Sequence, residues 1–133
     1  MSKFQKRVKF LITKVLGKVP ISEEVNVKKL FPEYGARNHH YDLVIPSYNL
    51  VIECHGEQHR KLTTFGEKDI VKAKENFVRQ KWRDRAKEDI VWDNDWAYVK
   101  IWYDDLPKDN DKAATLIKKE INSALDKIED EEY

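Results

Sequence analysis

Apolar residues fall first at helical spacing over residues 3–16. There Phe4, Val8, Leu11, Ile12, Val15 and Leu16 make one face, and the lysines lie mostly on the other. Gly17 and Pro20 predict the end of that helix. Residues 21–40 are ambiguous: Val25 and Val27 alternate with polar neighbours and permit a short strand, and Pro32 and Gly35 mark a turn. Two β-rich runs follow, Tyr41-Asp42-Leu43-Val44-Ile45 and Asn49-Leu50-Val51-Ile52-Glu53-Cys54. The link Pro46-Ser47-Tyr48 is short enough for a hairpin. Both runs are nearly continuous in apolar character, as expected of strands covered on both faces. Residues 67–89 read as a long charged helix whose stripe of Ile70, Ala73, Phe77, Trp82 and Ala86 is imperfect. A third strand is predicted over 96–103. A final helix is predicted over 111–128, with Ala113, Leu116, Ile117, Ile121, Ala124, Leu125 and Ile128 inward. This order predicts an α/β fold, a single small mixed sheet flanked by helices.

Length and composition narrow the class. At 133 residues one domain is expected over the whole chain, with an acidic tail over 126–133. Mean hydropathy is low, -0.77, but four Trp, six Tyr and five Phe argue against a disordered chain. No apolar run approaches the ~20 residues that span a bilayer, and the basic N-terminus lacks the apolar stretch of a secretory signal. A lone cysteine, Cys54, excludes an internal disulfide framework and a cysteine-cluster zinc site. A reducing cytoplasm is the expected compartment. The net charge of +1 hides segregation: residues 1–18 carry six basic side chains and no acid, and residues 60–87 carry ten basic against four acidic. Such clustering fits a polyanionic partner such as nucleic acid, though charge alone favours solvated helix faces.

Candidate chemistry centres on Asp42 and Glu53, single acids inside otherwise apolar strands. A buried carboxylate is costly unless paired. Two on neighbouring strands repel unless a divalent cation lies between them, which predicts a hard-metal site suited to Mg2+. The bland alternative puts them in water at strand ends or against an arginine. Strand alternation places Glu53 and His55 on one face. Gly56 then permits a turn that brings Glu57, Gln58 and His59 to the strand end. Imidazole can move a proton near neutral pH, and Arg60, Lys61, Lys68, Lys72 and Lys74 can hold a phosphate backbone.

The stretch Tyr41–Gly56 resembles the core of the very-short-patch repair endonucleases and their relatives in the PD-(D/E)XK nuclease superfamily. The continuation Gly56-Glu57-Gln58-His59 is closer to small nuclease-like domains, some of them in phage and homing endonucleases. A second patch, Arg83-Asp84-Arg85-Ala86-Lys87 followed by Tyr98-Val99-Lys100-Ile101-Trp102-Tyr103, is similar to the helix and strand of the same domains. The resemblance covers roughly residues 38–105 and implies a restriction-endonuclease-like core. By position it makes Asp42 the metal-binding aspartate and puts Glu53-Cys54-His55 in place of the (D/E)-x-K tripeptide, with His55 where many members have lysine. It implies a metal-binding main-chain carbonyl at Cys54 and a catalytic histidine at His55. His59 resembles a second histidine but sits one residue closer. An acid on the first helix often completes such sites. Residues 3–16 hold none, which leaves Glu23 or Glu24 as weak substitutes. The structural zinc of the repair enzymes does not carry over.

Other readings compete. His55 and His59 have the spacing of a helical zinc pair, but Gly56 stands where a metalloprotease has glutamate. His39-His40 reads as a solvent-facing pair, and Cys54 as a small buried hydrophobe. Arg83, Asp84 and Lys87 have the spacing of an ion pair within a helix. Of the tryptophans, Trp92 or Trp96 is the expected base contact, the others being core. The leading expectation is a DNA endonuclease using Mg2+, with Mn2+ as a substitute. In it Asp42, Glu53, His55 and His59 are catalytic; Asp42, Glu53 and Cys54 hold metal; Arg60, Lys61, Lys72, Arg83 and Lys87 hold DNA. Site specificity on so short a chain calls for a homodimer or a partner protein. The alternatives are a nucleic-acid-binding module with a decayed site, and a docking protein using its basic face and acidic tail.

Overall fold

The computed structural model describes residues 1–56 and 70–131. Helix α1 spans Lys3–Leu16. Its start is a reciprocal cap: the Ser2 hydroxyl accepts from the Gln5 amide, and the Gln5 side chain accepts from the Ser2 amide. Gly17, at φ +79°, ends it where an L side chain would be strained. Strand β1, Ser22–Asn26, leads into a single helical turn, α2, Val27–Leu30, capped by the Asn26 side chain. The hairpin strands are β2, His40–Ile45, and β3, Leu50–His55. Pro46–Tyr48 joins them as a 3-10 turn and Asn49 adopts the left-handed conformation that asparagine tolerates. Helix α3 is Ile70–Asp93, strand β4 is Ala97–Trp102 and helix α4 is Asn110–Glu131.

The four strands form one mixed sheet in the order β1-β2-β3-β4. The first three are antiparallel, and β4 returns parallel to β3, with Leu50 opposite Ala97 and His55 opposite Trp102. The ambiguous stretch before residue 40 thus contains a strand. Strand β4 begins and ends within the predicted run. Helix α3 runs past the predicted end at 89, and α4 absorbs most of the acidic segment expected as a tail.

Each sheet face has its own core. On one, Leu43, Ile45, Leu50, Ile52, Val99 and Ile101 meet Val8, Leu11 and Ile12 of α1 and Ala113, Ile117, Ile121 and Ala124 of α4. Arg7 ties the two helices together through the Pro107 and Lys108 carbonyls. On the other face, Tyr41, Val44, Val51 and Tyr98 meet Val27, Phe31 and Tyr34 on one side and Val91 of α3 on the other. The expectation of strands covered on both sides therefore holds.

The stripe predicted for α3 holds only at Ala73 and Phe77. Ile70, Trp82 and Ala86 are exposed. One line of partly or fully buried positions, Ala73, Phe77, Gln80, Asp84, Lys87 and Val91, is spaced by alternating steps of four and three, with Glu88, Ile90 and Trp92 partly buried beside its end. The middle of that inward line is polar, so a search for apolar periodicity drifts onto the outer face.

Candidate active site

The site forms where the hairpin stops being a hairpin. Pairing of β2 with β3 runs from Ile45–Leu50 to Leu43–Ile52. Beyond it the strands are joined through carboxylates. The Asp42 amide donates to Glu53 Oε2 at 3.1 Å, and the Cys54 amide donates to Asp42 Oδ2 at 2.7 Å. Each acid thus takes a main-chain donor from the neighbourhood of the other. The side-chain alternation of β2 breaks at the same point: Tyr41 packs in the Val44 and Val51 cluster, not with Leu43.

The remaining carboxylate oxygens face two helices. Gln5 Nε2 of α1 donates to Asp42 Oδ1 at 2.7 Å. Lys87 Nζ of α3 meets Glu53 Oε1 at 2.6 Å, with both side chains largely buried. The Lys87 ammonium also lies 5.6 Å from the centre of the Tyr41 ring. The Tyr41 hydroxyl donates to the Lys87 carbonyl at 2.7 Å, which pins that turn of α3 over the strand. Glu53 is only 3% exposed. Burial pushes its carboxyl up to about 8; Lys87 opposes the shift and Asp42 reinforces it.

His55 follows Glu53 on the same side of β3, as alternation predicts, and is also 3% exposed. Its ring lies against Trp102, centroids 4.9 Å apart. Its Nδ1 is 4.0 Å from Asp84 Oδ2 of α3. These groups line a cavity of about 410 Å3 floored by Asp42, Glu53, Cys54 and His55, walled by Gln5, Asp84 and Lys87 and rimmed by Phe4 and Tyr103. The rim rings stand edge to face at 5.4 Å.

The other predicted residues are scattered. His59, Arg60, Lys61 and Lys68 lie outside the described residues. Lys72 and Arg83 are exposed on α3, whereas Lys87, expected at a DNA backbone, lies inside the cavity on Glu53. Glu23 is ion-paired with Lys9 on the exposed edge strand, Glu24 is exposed beside it, and neither lines the cavity. The position nearest Asp42 on the first helix holds Gln5. His39 is not solvent-facing: its Nδ1 is 2.6 Å from the Tyr34 hydroxyl, and burial lowers its pKa, helped by Arg83 and Lys87. The Cys54 thiol is pushed far up by burial and then by Asp42, which suits the inert reading. Trp92 and Trp96 are not free to meet bases. Trp92 donates to Glu88 at 3.1 Å, and Trp96 packs edge-on to Phe31 at 5.6 Å.

Gln5 is what the sequence reading missed as part of the cavity; Asp84 and Lys87 stand in the second patch of the resemblance, which implies a supporting role near the sheet but does not give their partners, His55 and Glu53. Ser2-x-x-Gln5 is a capping-box pattern, so the first helical turn was recoverable. Its contact with Asp42, 37 residues away, was not.

Among the described residues, no three or more His, Cys, Asp or Glu side chains form a metal-ligating group. The donor set is two carboxylates on a partly open cavity. That suits an ion such as Mg2+, which uses one or two carboxylates and retains water, and does not suit tetrahedral zinc. Glu53 already has the Lys87 ammonium, whereas the half-buried Asp42 takes only neutral donors among the described residues, from Gln5 and the Cys54 amide, so a cation would offset its charge. No helix among the described residues is long and apolar enough to cross a membrane. Comparison with protein-family models and with characterised proteins finds no match to this chain.

Proposed function

We propose that the chain is a metal-dependent endonuclease that hydrolyses phosphodiester bonds in DNA. The observation that carries this is the cross-linked pair Asp42–Glu53, held between Gln5 and Lys87 on the floor of a water-accessible cavity. The mixed sheet with helices on both faces is compatible with the restriction-endonuclease-like core that the motif resemblance implies.

In this reading Asp42, Glu53 and the Cys54 carbonyl would hold Mg2+, which when bound would supply positive charge for the scissile phosphate and a more acidic water. The protein's own groups do the rest. Gln5 fixes the rotamer of Asp42 by holding one oxygen, while the Cys54 amide holds the other. Lys87 opposes the burial that raises the Glu53 carboxyl, and its ammonium is the fixed cation of the cavity, suited to a developing phosphorane charge. His55, oriented by Trp102 and facing Asp84, takes a proton from the attacking water or returns one to the leaving oxygen. The basic side chains of α3 hold the backbone on either side.

A second reading is favoured by one observation. Gln5, not an acid, stands beside Asp42 on the first helix, as expected of a nucleic-acid-binding module that has lost its chemistry. Plasmid incubated with purified protein and Mg2+ or Mn2+ separates the two. Nicking or linearisation by wild type, lost in Asp42→Ala and His55→Ala, supports the enzyme. DNA retention without cleavage in either metal supports the module.

A further inference from the structure

The outer face of α3 carries apolar side chains that the core does not use. Trp82 is 68% exposed, Val78 52% and Val71 61%. Phe77, Val78, Lys81, Trp82 and Arg85 line a shallow cavity of about 190 Å3. It is not an isolated dimple. Lys81 and Arg85 are shared with a neighbouring cavity of about 310 Å3, which also contains His55, Asp84 and Trp102. His55 and Asp84 in turn belong to the candidate active site. The Lys81 ammonium lies 5.3 Å from the Phe77 ring centre and 5.6 Å from that of Trp102, spanning the step between the two cavities. The three cavities therefore lie in a row, with shared walls, from the carboxylates past Trp102 to Trp82.

Charge decides what would follow that row. Residues 70–89 carry seven basic side chains and four acids; Lys81 and Arg85 line the cavity with Trp82, Arg79 and Arg83 are exposed on the same helix, and the acids Glu88 and Asp89 stay on the middle cavity, Asp89 3.9 Å from Arg85. An apolar partner would have to desolvate those cations. A polyanion with flat aromatic faces would use both: phosphates on the cations and a base on the indole. A base inside an intact duplex has no free face to offer. We infer that Trp82 and its ring of cations bind an unpaired nucleobase of a single-stranded DNA segment leading to the cavity. This deepens the nuclease reading and rests on it for the link to cleavage, making the substrate a strand with a single-stranded portion.

Binding in EDTA tests the inference apart from catalysis. The readout is fluorescence anisotropy of a labelled single-stranded oligodeoxynucleotide and of the same strand in a blunt duplex. Wild type should prefer the single strand. Trp82→Ala should weaken single-strand binding about tenfold and leave the duplex unchanged, while Trp82→Phe should keep most of the affinity. Arg79→Gln and Arg85→Gln should each reduce the salt slope by about 0.7. Equal single-strand affinity in wild type and Trp82→Ala overturns the inference, as does an equal loss on both DNAs. So does sedimentation showing that Trp82→Ala dissociates a dimer, because a second copy would then cover the patch. Trp82-dependent binding without plasmid cleavage by wild type upholds the base site and removes the nuclease reading. Cleavage with Trp82-independent binding does the reverse.

Discussion

The layer of α1 and α4 over one face of the sheet and the layer of α3 over the other bury different chemistry. Helix α4 presents Ala113, Ile117, Ile121 and Ala124, a dry stripe that meets Leu11 and Ile12 of α1 and the strands beneath. Helix α3 presents an inward line of the same kind of spacing, but its middle is Gln80, Asp84 and Lys87. The first layer gains from removing apolar area from water. The second spends part of that gain on holding charged groups out of solvent. The line is apolar at its ends, at Ala73 and Val91, and polar where it crosses Glu53 and His55. Two helices of similar length thus have separate duties, one mainly to hold the sheet and one mainly to complete the cavity.

The contrast can be broken by mutating each layer in turn. The largest expected effect is on stability, from the dry side. Ile117→Ala should cost about 2–5 kcal/mol in urea unfolding, while cleavage per folded molecule stays near wild type. A comparable loss of cleavage with no loss of stability would reverse the assignment of duties. Next comes Lys87→Met, which keeps the volume and removes the charge. Cleavage should fall about 100-fold, equivalent to ~2.7 kcal/mol, with a smaller loss of stability than Ile117→Ala, because Glu53, already raised to about 8, can stay protonated without Lys87. Unchanged cleavage in that variant would remove Lys87 from the chemistry.

The pH dependence sharpens the comparison further. The Glu53 carboxyl is raised to about 8 in the fold from an ordinary 4.5. Between these values the unfolded chain has released a proton that the folded one keeps. Rising pH therefore favours unfolding across that window, at up to about 1.4 kcal/mol per pH unit, and the loss levels off above the folded value. In EDTA, the stability of wild type should fall more steeply with pH between 5 and 8 than that of Glu53→Gln. Coincident slopes would show that Glu53 is ionised throughout. Added Mg2+ should raise the melting temperature more at pH 8 than at pH 5.5, since an ionised Glu53 is the better ligand. The smallest effect belongs to Ser2→Ala. It removes one half of the α1 cap and should cost about 1 kcal/mol, measured by thermal unfolding. An additional drop in cleavage there would show that the first turn of α1 positions Gln5 on Asp42.

Much of this architecture was readable along the chain. Phe4, Val8, Leu11, Ile12 and Val15 repeat strictly enough to place α1, and the two apolar runs around Pro46 place the hairpin. Asp42, Glu53 and His55 stand out because each interrupts, or ends, a strand that is otherwise apolar. Strand β1 was harder to read: Ser22, Glu23 and Glu24 are exposed on an edge strand and carry little apolar signal. The inward face of α3 was misread for a different reason. Trp82 and Ile70 look like core residues by type but point to solvent, while Lys87 looks like a surface residue and is buried.

What the sequence determined by itself is the set of local elements and the identity of the acids and the imidazole. Periodicity, turn residues and residue chemistry all act within a few positions of one another. What only the tertiary structure decided is which distant groups meet those side chains: Gln5 from α1 and Lys87 from α3 on the acids, and Asp84 from α3 and Trp102 from β4 on the imidazole. Those contacts depend on the parallel return of β4 beside β3 and on the angle at which α3 crosses the sheet. Charged side chains carry no periodic signal of their own burial. The cost of burying Glu53 is met by Lys87, far away along the chain, so no local pattern records it.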